Sequence, residues 1–159
     1  MKKILGLVLV LGVQMNVGHA AVLKMAGEKT VSKYFTEKSE EEGIEFFHGT
    51  WSEALKKAEE DNKLIFLDAY AAWCGPCKYM AKKTFTDPDV GAFYNQHFIN
   101  FKMDMEKGTD GPRLSRKFGL QAYPTLYFIN GKEEVVHKKL GFHEAKEFIA
   151  LGRVASEMK

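Results

Sequence analysis

Leu64-Ile65-Phe66-Leu67-Asp68-Ala69-Tyr70 leads within three residues to Trp73-Cys74-Gly75-Pro76-Cys77-Lys78. The first stretch is apolar on both faces at period two, which predicts a central strand covered by helices on each side. The second holds both cysteines of the 159-residue chain, where that strand gives way to a helix. Any disulfide within one chain is therefore Cys74–Cys77, and so small a loop adds little as a cross-link. Read structurally, these are two buried core cysteines. Read chemically, a C-x-x-C beside a βαβ pattern is a thiol–disulfide redox site.

The ends of the chain bear on that choice. Lys2 and Lys3, the apolar run Ile4 to Val13 and the small-x-small triplet Gly18-His19-Ala20 read as a signal peptide over residues 1–20, cleaved after Ala20. An uncleaved anchor is the competing reading, but the run is short for a bilayer, and Gln14 and Asn16 interrupt it. The expectation is export to an oxidising, periplasmic compartment, with no stable membrane insertion after cleavage. The formal charge of +2 drops to about zero without Lys2 and Lys3, so nothing electrostatic favours nucleic acid or an anionic membrane. The length from Ala21 onward suits one domain that buries about two thirds of its unfolded surface. Such a domain needs no disulfide staple, which favours the chemical reading.

Residues 21–42 are charged and weakly periodic, with a Glu40-Glu41-Glu42 run, and read as a polar arm or linker. Residues 43–159 carry the folded domain. Gly43 to Phe47 reads as a first strand. Thr50 predicts an N-cap, with Glu53 at the capping-box position, before a helix through Asp61. A helix is expected from the cysteines to about Phe85, with Met80, Ala81 and Phe85 as its apolar contacts, then a short helix over Val90 to Gln96. Phe98 to Met103 reads as a strand, and Arg113 to Phe118 as a helix ended by Gly119. Thr125 to Ile129 and Glu134 to Lys139 form a hairpin about Asn130-Gly131, and His143 to Val154 a closing helix. The order is β-α-β-α-β-α-β-β-α.

With these elements in place the chain resembles the thioredoxin superfamily. Trp73-Cys74-Gly75-Pro76-Cys77-Lys78 matches that family's active-site sequence, Tyr123-Pro124-Thr125 lies where it has a cis-proline loop, and Leu140-Gly141 lies at its groove glycine. The resemblance spans about Ile44 to Val154. Within it, Trp51 through Phe85 is most similar to exported thioredoxin-like proteins related to the C-terminal domain of DsbD. It implies an α/β thioredoxin fold: a central mixed sheet flanked by helices, with a C-terminal β-hairpin and helix.

Cys74 is the candidate nucleophile, because unpaired N–H groups at a helix N-terminus favour a thiolate and lower its pKa from about 8.5 to about 7. Cys77, nearly a turn further in, is expected to be less exposed and to resolve the mixed disulfide. Asp68 sits at the offset of the family's buried aspartate, which would take the Cys77 proton. The competing reading is an ordinary polar residue at a strand end. Lys102 falls where thioredoxin has a lysine near that aspartate, and reads equally as a solvated strand lysine. The resemblance makes Tyr123–Pro124 a cis bond whose loop pairs with an extended substrate. Trp73, Gly75, Pro76 and Gly141 complete the substrate groove, though Trp73 could instead pack in the core.

Gly-Pro between the cysteines supplies no histidine or cation to stabilise a thiolate strongly. The resemblance therefore places the pair toward the reducing end of a scale from about −270 mV in thioredoxin to about −120 mV in DsbA. The implied activity is thiol–disulfide exchange on exported proteins, without cofactor or metal, re-reduced by a membrane electron donor of the DsbD type. His48, His97, His137 and His143 are scattered without ligand spacing, and one C-x-x-C is a poor zinc site. Two other readings stay open: a polypeptide-binding or chaperone module with incidental cysteines, and a dedicated reductant for cytochrome c maturation.

Overall fold

The computed structural model describes residues 43–158, so the signal-peptide and arm expectations lie outside the described residues. The elements are α1 (Trp51–Glu60), β1 (Leu64–Tyr70), α2 (Gly75–Lys83), α3 (Pro88–His97), β2 (Phe98–Asp104), α4 (Asp110–Lys117), β3 (Thr125–Ile129), β4 (Val135–Leu140) and α5 (Ala145–Ser156). The four strands form one mixed sheet in the order β2-β1-β3-β4. β1 runs parallel to β2 and antiparallel to β3, and β3 pairs with β4 as an antiparallel hairpin. The doubly apolar stretch is thus an interior strand, and its first six residues are buried.

The period-two pattern of β1 separates two cores. Ile65, Leu67 and Ala69 pack with Trp51, Ala54 and Ala58 of α1 and Leu114 of α4. Leu64 and Phe66 face the other way, toward Met80 of α2, Val90 and Tyr94 of α3 and Phe148 of α5. This second core is aromatic. Phe66 meets Tyr94 at 5.1 Å and Phe148 at 5.2 Å between ring centroids, and Tyr94 stacks on Phe148 at 4.1 Å. The Tyr94 hydroxyl donates to the Phe148 carbonyl at 2.8 Å, so its burial leaves no orphaned donor.

Helix starts follow the capping chemistry in the sequence. Thr50 Oγ1 accepts from the Glu53 N–H while Glu53 Oε2 accepts from the Thr50 N–H, a complete capping box. Asp87 Oδ1 accepts from the Asp89 and Val90 N–H groups, with Pro88 in the first turn of α3. Gly119, at φ 61°, follows α4 in the left-handed region that favours glycine.

The structure differs from expectation at four places. Gly43–Phe47 is extended but not a ladder strand. The Ile44 N–H donates to the Phe85 carbonyl and the Phe47 N–H to the Asn100 carbonyl. Asn95 holds the same segment through the Glu45 N–H and the Gly43 carbonyl, so isolated backbone bonds and a side chain take the place of a strand ladder there. The cysteine helix stops at Lys83, with Thr84 as C-cap, and Ala81 is exposed rather than packed. The helix expected from Arg113 begins earlier, at Asp110.

The hairpin turn is not the two-residue Asn-Gly type. Residues 130–134 connect the strands, and the residue with positive φ is Glu133, at 61°. Asn130 Oδ1 accepts from the Lys132 and Glu134 N–H groups and shapes the loop. Gly131 matters for space instead: a Cβ there would lie 2.2 Å from Glu59 Cγ.

Glu133 explains its own conformation. Its carboxylate accepts from Trp51 Nε1 at 2.6 Å, from Arg113 Nη1 at 3.1 Å and Nη2 at 2.8 Å, and from Lys117. These bonds, Arg113's first, outweigh burial and hold the carboxyl down at about 2. A depressed acid stabilises the fold above its unfolded pKa, and that stabilisation is lost as pH falls from about 4.5 toward 2. With partial solvent access discounted, we expect Glu133→Gln to cost about 1–2 kcal/mol at pH 7. The gap from wild type should shrink toward zero near pH 2 in urea titrations. A gap that is constant with pH would remove ionisation from the explanation.

Candidate active site

Both cysteines lie at the carboxyl end of β1, where α2 begins. Cys74 is the N-cap of α2, and Pro76 sits in the first turn. The two are joined as a disulfide. The Cys77 N–H donates to Cys74 Sγ at 3.1 Å, so the sulfur occupies the place of a capping oxygen. The expected difference in exposure is absent in this oxidised form: Cys74 is 2% and Cys77 5% exposed. Ala71 and the two cysteines form a small apolar cluster, with Tyr70 and Tyr123 packed against it. Gly75 and Pro76, between the two cysteines, are exposed, and a Cβ on Gly75 would meet nothing within 4 Å.

The Tyr123–Pro124 peptide is cis. Its loop is fastened on both sides: Thr125 Oγ1 donates to the Ala122 carbonyl at 2.7 Å, and the Gly141 N–H donates to the Pro124 carbonyl at 2.8 Å. Gly141 has φ 89°, a conformation that favours glycine. Tyr123, Pro124 and Gly141 are therefore brought together by the β3–β4 hairpin, and Tyr123 reaches the cysteines. Trp73 is 67% exposed and stands edge-to-face on Tyr123, with ring centroids 5.6 Å apart. It lines the surface and does not pack in the core.

Asp68 is 4% exposed and sits in the middle of the sheet, opposite Lys102 on β2 and Leu126 on β3. It shares the face of β1 that α2 covers, and its Oδ1 is buried with no hydrogen-bond partner among the described residues. Burial pushes the carboxyl up to about 7, and the Lys102 charge draws it partly back. Lys102 makes no ion pair with it. The lysine is exposed, and its ammonium lies over the Phe46 ring, 5.3 Å from the centroid.

Glu106 belongs to this site and escaped the sequence reading. Its Oε2 accepts from Trp73 Nε1 at 2.9 Å. The Tyr123 phenol is raised by burial first, then by the Glu106 charge and a hydrogen bond to Glu106. The available signal was positional, since an acidic residue in the loop after β2 stands at the same sheet end as the cysteines. The histidines stay apart. His97 lies tilted against Phe93, with centroids 4.4 Å apart, and His143 Nδ1 lies 3.3 Å from Glu147 Oε2.

Residues 26–119 match the Thioredox_DsbH family model, described as "Protein of unknown function, DUF255". The chain belongs to this family, within the thioredoxin superfamily. Thioredoxin H4 of Arabidopsis thaliana is 37% identical over 91 residues, which is 57% of this chain and 71% of that protein. DsbD of Colwellia psychrerythraea is 33% identical over 99 residues, 60% of this chain but only 16% of that longer protein. Among solved structures, a putative disulphide-isomerase from Bacteroides thetaiotaomicron superposes with a TM-score of 0.65 at 44% identity, covering 76% of this chain and all but 1% of its own. With the Cys74–Cys77 disulfide at the end of β1, this family member is a thioredoxin-like thiol–disulfide oxidoreductase.

Proposed function

We propose that this protein reduces or isomerises disulfides of exported polypeptides in the periplasm. The reading rests above all on Cys74, a helix N-cap whose sulfur accepts the Cys77 N–H. The same N–H groups would stabilise a thiolate once the disulfide opens. In the reduced protein, Cys74 thiolate attacks one sulfur of a substrate disulfide and displaces the other as a thiolate. Cys77 then loses its proton and attacks Cys74 Sγ, and the second substrate sulfur leaves. The substrate gains two electrons and two protons, and the protein ends with the disulfide of the present structure. Asp68 is the proposed acceptor of the Cys77 proton, since a carboxyl near 7 is half ionised at working pH.

The substrate groove is assigned to Trp73, Gly75, Pro76, Tyr123, Pro124 and Gly141, with backbone pairing along the Tyr123 loop. The leader-like residues 1–20 support export. An oxidising compartment then requires an electron source, and the kinship with DsbD supports a membrane donor of that type. Gly-Pro between the cysteines argues for the reducing direction. The Cys74–Cys77 reduction potential, measured against glutathione buffers, is expected to lie below about −170 mV. A more positive value would overturn the reductase assignment and make the pair an oxidant.

A further inference from the structure

Glu106 is exposed, yet it is tied to the aromatic pair beside the cysteines. Trp73 donates its indole N–H to Oε2 at 2.9 Å, and Tyr123, packed on the cysteine cluster, stands edge-to-face on Trp73 with its phenol raised by burial and then by the Glu106 charge. Three side chains from three separate loops thus close one rim of the groove. The first precedes α2, the second follows β2 and the third precedes β3.

A neutral indole donor orients a carboxylate without cancelling its charge. Among the described residues no cation pairs with Glu106, and the adjacent Lys107 is drawn instead to Asp104 Oδ2 at 3.4 Å. The Glu106 N–H also donates to Asp104 Oδ1 at 3.1 Å, which fixes the loop and so the place of the charge. A negative charge held on the rim that Trp73 and Tyr123 form near the cysteines distinguishes substrates by the charge of their flanking residues.

We propose that Glu106 is a specificity-determining residue, and that its carboxylate favours disulfides flanked by a cationic side chain. The inference rests on the dithiol reading above. A lysine beside the substrate cysteine would meet Glu106 and the π-face of Trp73 together, whereas a glutamate there would be repelled. Glutamine at position 106 keeps an oxygen for the Trp73 N–H and removes only the charge.

The test uses the reduced full chain and three synthetic disulfide peptides, identical except for Lys, Gln or Glu beside the attacked cysteine. At low ionic strength wild type should prefer the Lys over the Glu peptide by about three- to tenfold in kcat/KM, carried by KM and shrinking as salt is added. Glu106→Gln should bring that ratio to within about twofold. A ratio unchanged in the variant overturns the proposal. So does an equal loss on all three peptides, which would leave Glu106 only a support for Trp73. Equal, measurable rates on all three with wild type reject the selectivity but keep the dithiol reading. No reduction of any peptide rejects both.

Discussion

Cys74→Ser is expected to abolish disulfide reduction, by at least on the order of a thousandfold in turnover. A serine hydroxyl at the α2 N-cap can still accept the Cys77 N–H, so the helix start should survive the change. What it lacks is an accessible anion, because a hydroxyl does not ionise near neutral pH as a helix-capping thiol does. Stability should change little, since the Cys74–Cys77 loop is too short to constrain the unfolded chain much. Cys77→Ser supplies the contrast. It should attack once and stop as a mixed disulfide, which non-reducing electrophoresis reads as a covalent adduct that dithiothreitol releases. Residual turnover by Cys74→Ser, or adducts formed through position 77 in that variant, would reverse the roles of the two sulfurs.

Asp68→Asn should change both the pH profile of stability and the resolving step. The folded carboxyl is pushed up to about 7 by burial in the sheet, which the Lys102 charge only partly offsets, against about 3.9 in the unfolded chain. Between those values the folded state keeps a proton that the unfolded state has released. Stability from this group therefore falls as pH rises from about 4 to about 7, by up to about 4 kcal/mol, and is level above. Asn has no such titration. Relative to wild type, Asp68→Asn should gain stability across that window in urea titrations at pH 4 and pH 8. A parallel profile would show that the aspartate is already ionised in the fold. In stopped-flow measurements the variant should slow resolution tenfold or more while mixed-disulfide formation changes less. Equal rates in both steps would remove Asp68 from proton transfer.

The legible parts of the fold were those with a local cause. Leu64–Tyr70 announced an interior strand through its doubly apolar pattern, and Thr50 with Glu53 announced a helix through two reciprocal hydrogen bonds. Gly43–Phe47 looked like a strand because its composition is β-like. Its hydrogen-bond partners, Asn95 and Asn100, lie some fifty residues away. Asn130-Gly131 carried a turn signal of the right place and the wrong type. Glu133 holds the left-handed position because Arg113, Lys117 and Trp51 secure its carboxylate, contacts no local motif records.

The site divides in the same way. The sequence by itself determined the reacting pair, because two cysteines separated by two residues at a strand–helix seam owe their proximity and helix cap to neighbours along the chain. It also marked Asp68 as an acid in an apolar strand. Only the tertiary structure decided what surrounds them. Parallel pairing sets Lys102 across from Asp68, yet its ammonium goes to Phe46. The β3–β4 hairpin joins Gly141 to Pro124 and sets Tyr123 against the cysteines, and the loop after β2 places Glu106 against Trp73. A nucleophile is a property of a residue and its adjacent backbone. The charge and shape of the surface around it come from loops far apart in sequence, and sheet order sets them side by side.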